Sequence, residues 1–365
     1  MARPEEIQLR GSISPTSGRL TLWWDSTWRG LDERLGLSAF SYPVPEYANR
    51  LPYLLGGITL MGFIILFATG VWLAQFYHPH PSEAHSSVVF IITQAPLGDI
   101  VRSLHYWGAN IVVLTVLLHM MRIYWAASYK RPREGNWLIG VGLLAVTTGL
   151  IFTGTVLKYD QEGFEALAHN REVANLLGFL GSWFSLEFSL SVPLLTRLYI
   201  GHITILPGLF TLLILGHLFL IKYHSISPRP SDEPAAVPER MSRFTVHLRR
   251  MIGFGLLLWA GLGVLSVLAP APLGLPAVPG EEVTKPPWMF LWLYPLENVW
   301  GVQGLFYGGL LFFALLALVP FVDRSPYRSP RRRRWLLAAG GILFLALVVL
   351  GLYAWATVPV AHLVE

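Results

Sequence analysis

Seven long apolar segments, separated by polar turns, dominate the hydrophobic pattern of the chain. They run over residues 51–77, 104–127, 137–157, 196–221, 250–270, 298–322 and 335–358. Each reaches the ~20 residues that a helix needs to cross the hydrocarbon core of a bilayer. The pattern predicts an all-α integral membrane protein of seven transmembrane helices. Ahead of them, Leu22–Leu37 interleaves tryptophans with charges and reads as an amphipathic helix on the membrane surface. Residues 1–20 lack the apolar core of a signal peptide, which predicts an N-terminus left inside. Four regions follow: an inside N-terminal segment (1–50), four spans (51–224), a polar linker rich in Pro, Ser and Arg (225–247), and three spans almost free of ionisable residues (248–365).

Composition agrees. Hydrophobic residues make up 53% of the 365 and charged residues 13%, against ~25% charged in soluble domains. The net charge of +5 points to a membrane rather than a nucleic acid, because 22 of the 27 Lys and Arg fall on the loops that an inside N-terminus leaves inside. Arg331–Arg334 read as a lipid-headgroup anchor on one such loop. The absence of cysteine excludes disulfides, thiolate metal sites, cysteine nucleophiles and thioether-linked haem.

Four of the eleven histidines fall inside spans, where polar side chains are costly and usually functional. His105 and His119 stand 14 residues apart on the second span, and His202 and His217 stand 15 apart on the fourth. At 100° per residue each pair stays within about 40–60° of one helix face, roughly 21 Å apart along the axis. A kink at Pro207 is expected to absorb the extra residue of the second pair. Both spans run from outside to inside, so His105 and His202 share an outer level and His119 and His217 an inner one. Two-imidazole ligation with no further ligand suits haem iron and not zinc.

The glycines and arginines fit a haem at each level. Gly56 and Gly70 on the first span, and Gly140 and Gly154 on the third, repeat the 14-residue offset. A flat macrocycle needs close backbone approach, which glycine permits. Arg102, Arg122 and Arg197 flank the histidines near the membrane faces, where haem propionates want charge-assisted partners.

RSLHYWGANIVVLTVLLHMMRIY (102–124) and LTRLYIGHITILPGLFTLLILGH (195–217) resemble the two haem-ligating helices of cytochrome b of the bc and b6f complexes. LGGITL with ATG (55–70) and TGTVLKYDQ (153–161) resemble its glycine-bearing helices, KPPWMFLWLYPLEN (285–298) its quinol-site segment, and PFVDRSPYRSP (320–330) the loop that follows. The 15-residue histidine step and the seven spans are similar to cytochrome b6 fused to subunit IV. The resemblance implies two non-covalent b-type haems, a quinol oxidation site facing outside and a quinone reduction site facing inside. Quinol would give one electron to a Rieske iron–sulfur protein, and the other would cross through the two haems to the inner quinone, coupled to proton translocation. A c-type cytochrome, membrane lipid, a homodimer and a bacterial inner membrane with the N-terminus cytoplasmic complete what is implied. No nucleic-acid partner is expected.

Two departures stand out. The family's quinol tetrad, Pro-Glu-Trp-Tyr, is here Pro286-Pro287-Trp288-Met289, and proline takes no proton. Glu297, near the start of the sixth span, is the first substitute acid, with Glu281 and Glu282 behind it. The family's Pro-Trp after the third span is here Lys158-Tyr159. At the position of the b6f type's haem-linking cysteine stands Leu54, so no covalent third haem is expected. Lys222 and His224 are the candidates for the inner quinone site. His78, His80, His85, His169, His247 and His362 read as solvated. Two rival functions are a dihaem quinone-reactive anchor of a dehydrogenase or reductase, which the three extra spans disfavour, and a proton-coupled transporter, which leaves the glycine offsets unexplained.

Overall fold

The computed structural model describes residues 19–36, 42–186, 188–230 and 240–362. Seven helices are long and apolar enough to cross a membrane: Leu51–Leu73, Gly98–Trp125, Glu134–Leu157, Leu194–His224, Phe244–Leu268, Val302–Val322 and Pro330–Ala356. They are spans 1 to 7 below. The expected surface helix runs over Arg19–Leu35. The middle of the polar linker lies outside the described residues. After it, Met241–Arg243 pairs antiparallel with Pro43–Pro45 and ties the segment before span 1 to the start of span 5.

Spans 1 and 2 pack side by side, span 5 lies against both, and span 4 lies against span 3. Indole N–H groups latch the halves together. Trp259 of span 5 donates to the Met61 carbonyl (2.8 Å), Trp107 of span 2 to Ala269 (2.7 Å), and Trp137 of span 3 to Leu316 of span 6 (2.7 Å). A tryptophan bridges helices well because its ring is apolar and its one donor is satisfied by a carbonyl.

Three features depart from the sequence reading. Span 4 does not take up its extra residue at Pro207. It does so just before, in a π-helical turn over Gly201–Ile205 that contains His202. A π-turn adds one residue to a helix without breaking it. Span 6 begins later than expected. Glu297 lies in a separate short helix, Tyr294–Trp300, and the chain turns at Gly301 (φ 62°) before Val302. That left-handed turn favours glycine. Finally, two helices between spans were not foreseen: Ala84–Thr93, and Gln161–Leu177 after span 3.

At one end, a buried charge cluster joins the loop after span 2 to the loop after span 6. Asp323 accepts from the Tyr129 hydroxyl (2.6 Å), Lys130 Nζ (2.8 Å) and Arg333 Nε (2.7 Å). Burial raises the Asp323 pKa, but these three donors outweigh it and hold the carboxyl below its usual range. Arg333, read as part of a lipid anchor, is therefore a buried partner of Asp323, while Arg331, Arg332 and Arg334 stay exposed.

Candidate functional site

The four span histidines face four glycines, one each. A Cβ built on Gly56 would lie 3.0 Å from His119 Cε1, on Gly154 3.1 Å from His202 Cε1, on Gly70 3.3 Å from His105 Cε1, and on Gly140 3.8 Å from His217 Cε1. Spans 1 and 3 thus supply a flat wall for each imidazole on spans 2 and 4. One level holds Gly70, His105, Gly154 and His202, and the other holds Gly56, His119, Gly140 and His217.

Hydrogen bonding sets the tautomer at the first level. Thr69 Oγ1 donates to the Ile65 carbonyl (2.7 Å) and lies 2.9 Å from His105 Nδ1. Thr153 Oγ1 donates to the Gly149 carbonyl (2.7 Å) and lies 2.9 Å from His202 Nδ1. Each hydroxyl has one proton and has given it to its own helix. It therefore accepts from Nδ1–H, which leaves the Nε2 lone pair free to ligate, the arrangement by which an outer partner orients a metal-binding imidazole. The two rings stand 6.3 Å apart, centroid to centroid. Two imidazoles on opposite sides of one metal, each bonded at ~2 Å, place their centroids roughly 6.3 Å apart. The donor set, the tautomer and the spacing all fit iron held between two histidines. At the second level the buried His217 Nδ1 has no hydrogen-bond partner.

Between the levels lies an apolar layer of Phe63, Val112, Val146 and Phe210, one residue from each of spans 1 to 4, all buried. The Phe63 and Phe210 rings meet at a tilt of 36° with centroids 4.1 Å apart. Each residue stands at or within one position of the midpoint of its own Gly or His pair.

The three arginines occupy the ends of the bundle but are already engaged. Arg102 donates to the Ala271 (2.7 Å) and Pro272 (2.6 Å) carbonyls. Arg197 is buried and donates to the Trp183 and Ser185 carbonyls, with its Nε lacking a partner. Arg122 donates to Ser128 Oγ (3.2 Å) and lies over the Tyr53 ring at 3.8 Å.

The tetrad segment is docked on the histidine bundle. Trp288 Nε1 donates to Asn110 Oδ1 of span 2 (2.6 Å), and Phe290 packs edge-on against Phe152 of span 3. The helix Gln161–Leu177 grips the segment just before it. Asp160 caps that helix by accepting from Gly163 N–H (3.0 Å) and also accepts from Gly274 N–H (2.9 Å). Glu165 accepts from the Val283 (2.9 Å) and Thr284 (3.0 Å) amides. Lys158, in the family's Pro-Trp position, pairs with Asp160 (3.3 Å) and Glu162.

Glu297 is buried and meets histidines that the sequence reading left solvated. His169 Nε2 lies 2.9 Å from Glu297 Oε1 and 3.5 Å from Glu282 Oε1. His362 Nδ1 lies 3.4 Å from Glu282 Oε1 and 3.9 Å from Glu297 Oε2. Burial works against a charge on His169, but Glu297, the Glu165 carbonyl and Glu282 prevail and raise its pKa to about 8. His247 is also buried rather than solvated. His78 and His80 are exposed as expected, whereas His85 is half-buried with its Nε2 3.0 Å from the Gly274 carbonyl. At the opposite end, Lys222 is exposed with its Nζ 6.0 Å from the Tyr42 ring, and the His224 carbonyl accepts from Arg133 (2.6 Å).

A family model described as cytochrome b(N-terminal)/b6/petB matches residues 110–276. The chain is 35% identical over 209 residues to cytochrome b6 of Heliobacterium modesticaldum, a match covering 56% of this chain and 98% of that protein. It is 31% identical over 335 residues to the cytochrome bc complex cytochrome b subunit of Chlorobaculum thiosulfatiphilum, covering 85% of this chain and 74% of the relative. The solved structure titled "Hyperthermophilic respiratory Complex III" superposes with a TM-score of 0.76 at 23% identity, covering 90% of this chain and 91% of that one, which shows a shared fold. With its histidine and glycine pairs and three further spans in one polypeptide, the chain belongs to the cytochrome b family of bc- and b6f-type complexes, in the form that joins a b6-like half to a subunit IV-like half.

Proposed function

We propose that this chain is the dihaem, quinone-reactive cytochrome b of a bc-type quinol oxidoreductase in a bacterial cell membrane. One observation carries the reading: four half-buried histidines, each against its own glycine, at two levels of the same bundle. His105 and His202 hold one b-type haem and His119 and His217 the other, both non-covalently, since the chain has no cysteine. When bound, the haems supply one-electron carriers at two depths of the membrane. Thr69 and Thr153 keep the first pair of imidazoles in the ligating tautomer. The N–H groups left on Arg102, Arg197 and Arg122 would serve the propionates of a bound haem.

Quinol is oxidised beside the tetrad segment, at the His105 end. Pro286 and Pro287 have fixed φ and no N–H to donate, so they stiffen the wall of that site, and Trp288 is held in place by Asn110. Glu297 takes the quinol proton in place of the tetrad's usual Glu. It is buried, and its Oε1 accepts no hydrogen bond. Quinone is reduced at the opposite end, where Lys222 and His224 supply protons. Electrons leave through a Rieske protein and a c-type cytochrome, the complex is a homodimer, and the N-terminus and the arginine-rich loops face the cytoplasm with lipid headgroups.

The test is a reduced-minus-oxidised spectrum of the purified complex, titrated by potential. Two b haems per chain with distinct potentials are expected. Added quinol and oxidant should then drive extra haem reduction when the inner site is inhibited, and Glu297→Gln should slow that reduction at least tenfold. A complex without haem would overturn the assignment, and two haems without the extra reduction would leave a one-sided quinone-reactive anchor.

A further inference from the structure

His169, Glu282, Glu297 and His362 come from four separate segments: the helix after span 3, the loop before the tetrad, the short helix before span 6, and the tail after span 7. All four side chains are largely buried, at 17, 9, 3 and 5% exposure. The geometry points to a divalent transition-metal site of the zinc class, a clasp that fastens the tail to the loop segments beside the tetrad.

Three observations carry it. First, the spacing fits. Four ligand atoms around tetrahedral zinc at ~2.0–2.2 Å lie roughly 3.3–3.6 Å from one another. Glu282 Oε1 lies 3.5 Å from His169 Nε2 and 3.4 Å from His362 Nδ1, while Glu297 offers Oε1 to His169 at 2.9 Å and Oε2 to His362 at 3.9 Å. Ligand atoms of His169, Glu297 and His362 all lie within 4.8 Å of each other, as they do nowhere else among the described histidines and acids.

Second, both imidazoles are held as ligands are held. His169 Nδ1 lies 2.7 Å from the Glu165 carbonyl and must donate to it. His362 Nε2 lies 2.6 Å from Asn298 Oδ1 and donates there. Each ring thus spends one N–H on an outer acceptor and turns its other nitrogen toward the carboxylates. This is the outer-partner arrangement of metal-binding histidines. Each inner nitrogen faces carboxylate oxygens, a place that a proton or a metal ion can fill.

Third, Glu297 is buried and its Oε1 is left without a hydrogen bond, with His169 Nε2 2.9 Å away. A buried oxygen left unbonded is costly, and a metal ion answers it. Two imidazoles and two carboxylates suit Zn²⁺ among common divalent ions, whereas Mg²⁺ and Ca²⁺ prefer all-oxygen shells.

Binding depends on these four side chains and not on the quinol reading. The two readings meet at one point: a cation on Glu297 takes the lone pair assigned to the quinol proton, so the two occupancies exclude each other.

The test uses the intact purified complex, stripped with EDTA, equilibrated with micromolar Zn²⁺ and dialysed. Metal analysis should find one zinc per chain, and zinc-edge X-ray absorption should show mixed N/O ligation with two imidazoles. His362→Gln and Glu282→Gln should each weaken zinc binding at least tenfold. Asn298→Leu, which removes only the outer acceptor, should weaken it about 10–100-fold. Unchanged b-haem spectra in each variant exclude misfolding as the cause. No zinc above buffer background, ligation without imidazole, or equal retention in wild type and His362→Gln would overturn the proposal, leaving a proton as the only cation there.

Discussion

Gly154→Ala tests the histidine walls. The added methyl would lie 3.1 Å from His202 Cε1, against a comfortable carbon contact of ~3.5–4.0 Å. The ring must therefore retreat by roughly 0.4–0.9 Å. It cannot do so freely, because Nδ1 is tied to Thr153, the residue next to the glycine. Retreat also narrows the 6.3 Å gap to His105, which already matches the span of two metal bonds. Overpacking of this kind costs about 1–3 kcal/mol, which weakens haem at this level roughly 5–150-fold. Gly140→Ala meets His217 only at 3.8 Å, an ordinary contact, and should change haem affinity less than about twofold. Gly208→Ala has nothing within 4 Å and serves as the control. The assay is haem b per chain in the purified complex under rising detergent, with a redox titration of what remains. If Gly154→Ala retained both haems as Gly140→Ala and Gly208→Ala do, the close approach would have no bearing on the cofactor.

Asp323→Ala removes the shared acceptor of Lys130 and Arg333 and leaves two largely buried cations unpaired, so stability should fall by about 3–5 kcal/mol, measured by thermal unfolding in detergent. Because the folded Asp323 pKa is depressed, its contribution is present at neutral pH and is lost as pH falls through that lowered value. The sign reverses at His169. Its folded pKa is raised from 6.5 to about 8, so its contribution is full below 6.5 and lost as pH rises through about 8. That difference is worth about 2 kcal/mol. In EDTA, wild type should lose this stability between pH 6.5 and 8.5 and Glu297→Gln should not; parallel profiles would refute the pairing.

The spans and the two histidine levels were legible in the sequence because both rest on local periodicity. Twenty apolar residues are enough to call a span, and a 14- or 15-residue step fixes which histidines share a face. The grouping of the clasp residues was not legible, although Glu297 and Glu282 stood out singly, because His169, Glu297 and His362 are separated by more than sixty residues of intervening fold. One local signal was available. Asp160 before Gln161 and Glu162 is an N-cap with an acid in the first turn, and Gln161, Glu165 and His169 recur every four residues along one polar face. The π-turn was half visible. The odd histidine step demanded one extra residue, but proline drew attention to the wrong place. The break at Gly301 was hidden because residues 298–300, the end of the short helix, and Val302–Val322 read as one apolar run.

The layer of Phe63, Val112, Val146 and Phe210 makes the bundle an insulator with a choice of carrier. A proton needs a wire of donors and acceptors, and this layer offers none. The threonines closest to it in sequence are closed off, with Thr115 donating to the Val112 carbonyl, Thr147 to Leu143, Thr148 to Leu144 and Thr211 to Pro207. An ion pushed into such a dry interior faces a barrier of order 20 kcal/mol in the idealised limit. A potential of 100 mV returns only ~2.3 kcal/mol per charge. Four side chains at the middle of the membrane therefore act as the dielectric of a charged capacitor. Under the proposed function they would keep the voltage from leaking back through the same bundle that the electron crosses.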